Sequence, residues 1–177
     1  MKVSPNGDDI SLCRGDLWSP VCSDTLIYYK KEVIIMIKAM NISYEIGDKL
    51  YLNITNKCPC NCTFCIRHNG DGAYGSDPLW LEHQPTAEEV IDNIKKRDLD
   101  SYKEIIFCGY GEPTCELEIL KETAKYIKSV TKTPVRLNTN GLSDLINKRE
   151  TPAEFKGLVD IISISLNASD AKAYDEV

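Results

Sequence analysis

The sequence predicts an α/β fold built on a parallel sheet. Short runs rich in β-branched and apolar residues recur along the chain, and each is followed by a stretch of helical period. The runs begin roughly 25–55 residues apart, enough for a crossover helix between parallel strands. Right-handed crossovers leave two architectures, an open doubly wound sheet or a barrel.

The elements follow in order. Residues 49–55 (KLYLNIT) form the first strand, with Leu50, Leu52 and Ile54 on one face. A cysteine loop and a Gly-rich stretch come next. Residues 85–99 read as a helix that opens on a capping box, Thr86 with Glu89 three positions on. Val90, Ile91 and Ile94 supply its apolar stripe, and Lys95, Lys96 and Arg97 suit the negative end of the helix dipole. Residues 104–108 (EIIFC) are a buried-type strand ending at Gly109. Residues 116–130 make a second helix through Leu117, Leu120, Ala124 and Ile127. Residues 134–137 are a third strand, a short helical stretch follows Gly141, and residues 160–166 (DIISISL) are a fourth strand. Residues 169–177 read as the opening turns of a helix with no stop signal, so the pattern is expected to break off inside a unit.

Residues 1–39 carry no sustained period and read as a leader outside the domain, with Met40, followed by a strand-like pattern, an alternative start and 40–177 the core domain. Their longest apolar run, residues 33–37, is too short for a signal peptide or a membrane span. A formal charge of −6, from 21 basic and 27 acidic residues, argues against a surface made to neutralise nucleic-acid phosphates. Eight cysteines in a chain with no signal peptide suggest a reducing, cytoplasmic setting, where clustered thiols mean metal or redox chemistry.

The sharpest feature is Cys58-Pro59-Cys60-Asn61-Cys62-Thr63-Phe64-Cys65, directly after the first strand. Cys58, Cys62 and Cys65 have the spacing C-x3-C-x2-C. Three thiolates from one loop can hold three irons of a 4Fe-4S cluster and leave the fourth open to an exogenous ligand. A structural zinc site would want a second C-x2-4-C pair, which the sequence lacks. An electron carrier would want a fourth cluster ligand, and Cys60, inside the span of the other three, is the only nearby candidate. A zinc-binding module and an iron–sulfur electron carrier are therefore the alternatives to a catalytic cluster.

This loop, with the aromatic Phe64 before its last cysteine, resembles the radical S-adenosylmethionine (SAM) superfamily. Gly109-Tyr110-Gly111-Glu112-Pro113 is similar to that family's GGEP motif, Asn138-Thr139-Asn140-Gly141 closes the third strand, and residues 163–167 close the fourth. The wording YLNITNKCPCNCTFCIRHNG followed by IIFCGYGEPT further resembles small radical SAM proteins associated with TatD-type nucleases. The resemblance implies a partial (β/α) barrel of the TIM type, with about four units present and the last ones missing at the C-terminus. It implies a 4Fe-4S cluster on Cys58, Cys62 and Cys65, with Cys60 no ligand. SAM contacts are implied at Phe64, Gly109, Tyr110, Gly111, Glu112, Asn138, Asn140, Ser165 and Asn167. It also implies an electron donor such as a flavodoxin or ferredoxin, a functional link to a TatD-type nuclease, and hydrogen abstraction from an unassigned substrate.

The residue chemistry suits these roles. All four segments end strands, where parallel α/β folds bind ligands. Gly109 and Gly111 let backbone approach a ligand, and Glu112, with no evident structural partner in the sequence, suits an ammonium. Asn138 and Asn140 suit ribose hydroxyls and a carboxylate, although Asn140-Gly141 alone also reads as a turn; Ser165 and Asn167 read equally as helix caps. Residues 67–84 form a long loop at the same end, with Arg67, His68, Tyr74 and Trp80 as candidates to cover the cluster or touch substrate. Cys13, Cys22 and Cys115 read as free thiols and Cys108 as a small core residue.

Overall fold

A computed structural model describes residues 27–29, 32–34, 40–68, 72–73 and 75–174. The chain divides into two units, Met1–Ile35 and Met36–Val177. In the first, β1 (Ile27–Tyr29) pairs antiparallel with β2 (Glu32–Ile34). That ladder lies in the stretch read as leader; strands of three residues are too short for a period to register.

The second unit holds β3 (Ser43–Ile46), β4 (Lys49–Leu52), β5 (Glu104–Phe107), β6 (Val135–Thr139) and β7 (Ile161–Ile164), hydrogen-bonded in that order. β3 and β4 form an antiparallel hairpin turned at Gly47, whose φ of 61° favours glycine. β3 lies in the strand-like stretch after Met40, although the sequence pattern counts strands of the sheet only from Lys49. From β4 to β7 every pairing is parallel. These strands follow chain order without reversal, so the described sheet has no doubly wound switch point and winds one way, as a barrel wall does.

The crossovers are α1 (Ala87–Ile94), α2 (Leu117–Val130) and α3 (Ser143–Asn147) with a 3₁₀ turn at Pro152–Phe155. The Thr86–Glu89 capping box is present, with Glu89 N–H donating to Thr86 Oγ1 at 3.2 Å and Thr86 N–H to Glu89 Oε2 at 2.8 Å. α1 ends five residues earlier than its periodicity suggests. Arg97 leaves the helix to bind the Ser43 carbonyl (3.2 Å) and the Glu45 carboxylate, and Lys95 pairs with Asp92 at 2.9 Å. Lys95 and Arg97 are thus tied to a side chain and to β3 more than to the helix dipole.

Alternation along the strands divides the sheet. Leu50, Leu52, Ile105, Phe107, Val135 and Leu137 pack against Val90 and Ile94 of α1 and Leu120, Ala124 and Ile127 of α2. Each buried Val, Leu, Ile or Phe among them stabilises the fold by about 1.5–3 kcal/mol. The opposite face, with Lys49, Tyr51, Ile106, Cys108, Arg136, Asn138 and Ser163, lines an open cleft of about 450 Å³. Beyond β7 the chain enters α4 (Ala171–Tyr174), where Ala173 N–H donates to Asp170 Oδ1 at 3.0 Å. Among the described residues no helix is long and apolar enough to cross a membrane.

Candidate functional site

The four motif segments meet at the C-terminal ends of β4–β7. After β4, Asn53 is buried and donates to the Leu79 carbonyl at 2.8 Å while accepting Tyr110 N–H at 3.3 Å. The cysteine loop then closes on itself, with Cys65 N–H on the Cys62 carbonyl (3.1 Å) and His68 N–H on the Cys65 carbonyl (2.9 Å). Arg67 anchors it by donating to the Asn56 carbonyl at 3.2 Å and lying 5.6 Å over the Trp80 ring, which meets Tyr110 edge-on at 5.1 Å.

The fold adds a reason for the glycines of the motif after β5 and corrects the reading of its glutamate. Gly109 and Gly111 are demanded by the chain itself. A Cβ on Gly109 would run into the Asn53 side chain, and one on Gly111 would sit 2.7 Å from the Lys57 carbonyl oxygen and closer still to that of Thr55. Glu112 does have structural partners. Only 4% exposed, its Oε1 accepts Thr114 N–H (3.1 Å) and the hydroxyls of Thr114 and Thr139 (each 2.7 Å), and its Oε2 accepts Asn140 N–H at 2.8 Å. One carboxylate thereby joins the end of β5 to the end of β6. Thr114 meets Glu112 within its own turn, two residues on, whereas Thr139 escapes sequence reading because its partner lies on another loop.

Asn140 extends the tie to the cysteines. Its Nδ2 approaches Cys60 Sγ at 3.5 Å, and its Oδ1 accepts Leu142 N–H at 2.9 Å, so it also makes the turn that N-G suggests. Asn138 faces the cleft; Cys108 is its hydrogen-bond partner, and its Oδ1 is buried with none. Ser165 donates its N–H to the Thr139 carbonyl at 2.9 Å and lines the cleft mouth; Asn167 is half-buried just beyond. Tyr110 is 4% exposed among Tyr44, Ala73 and Leu79, so its ring serves packing, whereas Phe64 stands 56% exposed on the cysteine loop. His68 is exposed; Tyr74, Cys13 and Cys22 lie outside the described residues.

Cys58, Cys60, Cys62 and Cys65 are half-buried, and none is in a disulfide. Burial, then the neighbouring Cys58 and Cys62, raises the Cys60 thiol, and burial outweighs the Asn138 hydrogen bond at Cys108. Cys115 is pushed up to about 11 by burial, then by Glu112 and Cys58, and so stays a thiol. Among the described residues no group of three or more His, Cys, Asp or Glu side chains is arranged so that it could hold a metal ion. The loop carries four undisulfided thiols, three of them in the C-x3-C-x2-C spacing, which suits cluster ligation in number and chemistry.

The family model of the radical SAM superfamily matches residues 52–177, which takes in the cysteine loop and all three later segments. No curated protein and no solved structure matches the chain.

Proposed function

The chain belongs to the radical SAM superfamily, and on that premise we propose that it is a radical SAM enzyme with a 4Fe-4S cluster on Cys58, Cys62 and Cys65. With those cofactors bound, the chemistry supplied is one-electron cleavage of SAM to methionine and a 5′-deoxyadenosyl radical, which takes a hydrogen atom from substrate. A flavodoxin or ferredoxin supplies the electron, and a reducing cytoplasm suits the thiols. The resemblance to TatD-associated proteins suggests a functional link to such a nuclease.

One observation carries this reading: Glu112 and Asn140 draw the ends of β5 and β6 onto the cysteine loop. The chain's own residues then have distinct tasks. Glu112 Oε2 accepts one hydrogen bond and keeps a lone pair for the SAM ammonium, while its other three bonds fix the carboxylate. Asn138 Oδ1, buried and unpaired, is an acceptor for a ribose hydroxyl. Ser165 and Asn167 border the same end, Phe64 offers a ring to the adenine, and Gly109, Tyr110 and Gly111 contribute backbone. Cys60, already partnered by Asn140, is left out of the ligand set.

The test is anaerobic reconstitution with iron and sulfide, followed by SAM and a reductant. Broad absorption near roughly 400 nm, iron and sulfide in the chain, and release of 5′-deoxyadenosine are expected. A colourless protein that takes up zinc would overturn the reading.

A further inference from the structure

The floor of the cleft holds a charge cluster that none of these roles uses. Lys49 and Glu104 begin β4 and β5, and Arg136 is the second residue of β6. Glu104 bridges the two cations: its Oε2 lies 3.1 Å from Lys49 Nζ, and it accepts Arg136 Nη2–H at 2.8 Å and Nε–H at 3.2 Å. Arg136 Nη1–H donates to Ser163 Oγ at 2.7 Å. Two cations against one carboxylate leave the floor with an excess of one positive charge. These charges are partly sheltered, with side-chain exposures of 39% for Lys49, 25% for Arg136 and 15% for Glu104. Above them lie Tyr51 and Ile106, then Cys108, Asn138 and Ser165.

We propose that this floor is the substrate anchor, and that the substrate is a small carboxylate whose anionic group rests on Arg136 and Lys49. This rests on the function proposed above and deepens it. Three bonds occupy Arg136, and two of its five donors remain for a further acceptor. A single excess charge matches a carboxylate monoanion better than a dianionic phosphate. Two residues of strand separate Arg136 from Asn138, about 7 Å, so a molecule anchored on the floor presents its far end at the level of the strand ends. The bridging Glu104 carboxylate keeps both cations aimed into the cleft.

Calorimetric titration of the full reconstituted chain with 3-phenylpropionate and with its neutral amide tests the anchor. The carboxylate is expected to bind at least tenfold tighter than the amide. Arg136→Gln should abolish that preference. The more exposed Lys49→Gln, which leaves the Arg136–Glu104 fork intact, should weaken the carboxylate several-fold with an unchanged melting midpoint. Equal affinity for acid and amide, tighter binding of inorganic phosphate, no saturable binding, or displacement of the probe by SAM would each overturn the anchor. 5′-Deoxyadenosine release on the same samples separates the two claims: release without carboxylate preference sinks only the anchor, and the reverse sinks the enzymatic reading.

Discussion

The buried carboxylate of Glu112 accepts the backbone N–H of Asn140 at 2.8 Å across 28 residues of sequence. This bond, with those from Thr114 and Thr139, makes Glu112 a part of the fold as well as a candidate SAM ligand. Glu112→Gln retains one acceptor oxygen and turns an NH₂ toward groups that donate. A buried donor left facing another costs about 1–3 kcal/mol. The expected loss of about 2 kcal/mol lowers the melting midpoint by about 4–8 °C. SAM affinity measured on reconstituted protein falls as well, by roughly tenfold or more. A midpoint equal to wild type would refute the structural tie.

The glycines separate two kinds of cost. At Gly111 an added Cβ meets the carbonyls of Thr55 and Lys57, the latter also accepting Glu112 N–H at 2.8 Å. Backbone cannot swing aside as a side chain does, so Gly111→Ala should cost about 2–4 kcal/mol, overpacking plus a weakened hydrogen bond. At Gly47 nothing lies within 4 Å of the added carbon, and only the positive φ of 61° opposes it. Gly47→Ala should therefore cost about 1–2 kcal/mol. Urea unfolding of both variants checks the order; Gly47→Ala as the more damaging change would contradict it.

Local signals were legible and long-range ones were not. The Thr86–Glu89 capping box and the stripe of α2 are written within a few residues, and both stand where the pattern puts them. Periodicity could not reveal that α1 stops at Ile94, because Arg97 is claimed by Ser43 and Glu45, more than fifty residues away. The stretch after Met40 is strand-like, but the four residues of β3 (SYEI) hold only one full alternation, too little to count it as a strand of the sheet. In the site, residue types and spacing pointed to the cysteines, the Gly-Tyr-Gly-Glu turn and the asparagines. What each touches came only with the fold: Glu112 meets Thr139, Asn140 meets Cys60, and both glycines meet backbone or Asn53. Arg136 carried a signal that went unused, a charge inside a strand whose neighbours Val135 and Leu137 are fully apolar.

Acid should loosen the α2 side of the molecule through Glu154. Arg149 donates to it at 2.8 Å and Lys121 at 2.6 Å, and these hydrogen bonds hold its carboxyl down to about 2 from the ordinary 4.5. The unfolded chain binds the proton first, so the contribution is complete above the ordinary value and is lost as pH falls from about 4.5 to about 2. Glu154→Gln removes the titrating group. Its urea midpoint should fall less steeply than that of wild type across this window, and the two curves should run parallel near neutrality. Equal slopes on the acid side would show that Glu154 is not held by its cations in solution.

The cysteines differ in what the protein already gives them. Cys60 has Asn140 Nδ2 at 3.5 Å and shares a hydrogen bond with Cys58, so its thiol is engaged by the chain itself. Cys58, Cys62 and Cys65 supply the C-x3-C-x2-C spacing on a loop whose turn is fixed by backbone bonds from Cys65 and His68. Removing any one of those three should leave two thiolates for a cluster that needs three, and reconstituted iron and sulfide should drop to a small fraction of wild type. Cys60→Ala forfeits only weak sulfur hydrogen bonds, to Asn140 and Cys58, so its iron and sulfide content should stay near wild type. Asn140→Ala gives an independent control: it breaks the contact to Cys60 without touching a thiol, and its iron content should follow that of Cys60→Ala. Single alanine variants reconstituted side by side, with iron, sulfide and melting midpoint measured on each, decide the matter. If Cys60→Ala loses iron as fully as Cys62→Ala while its midpoint holds, Cys60 is a ligand and the triad is misassigned.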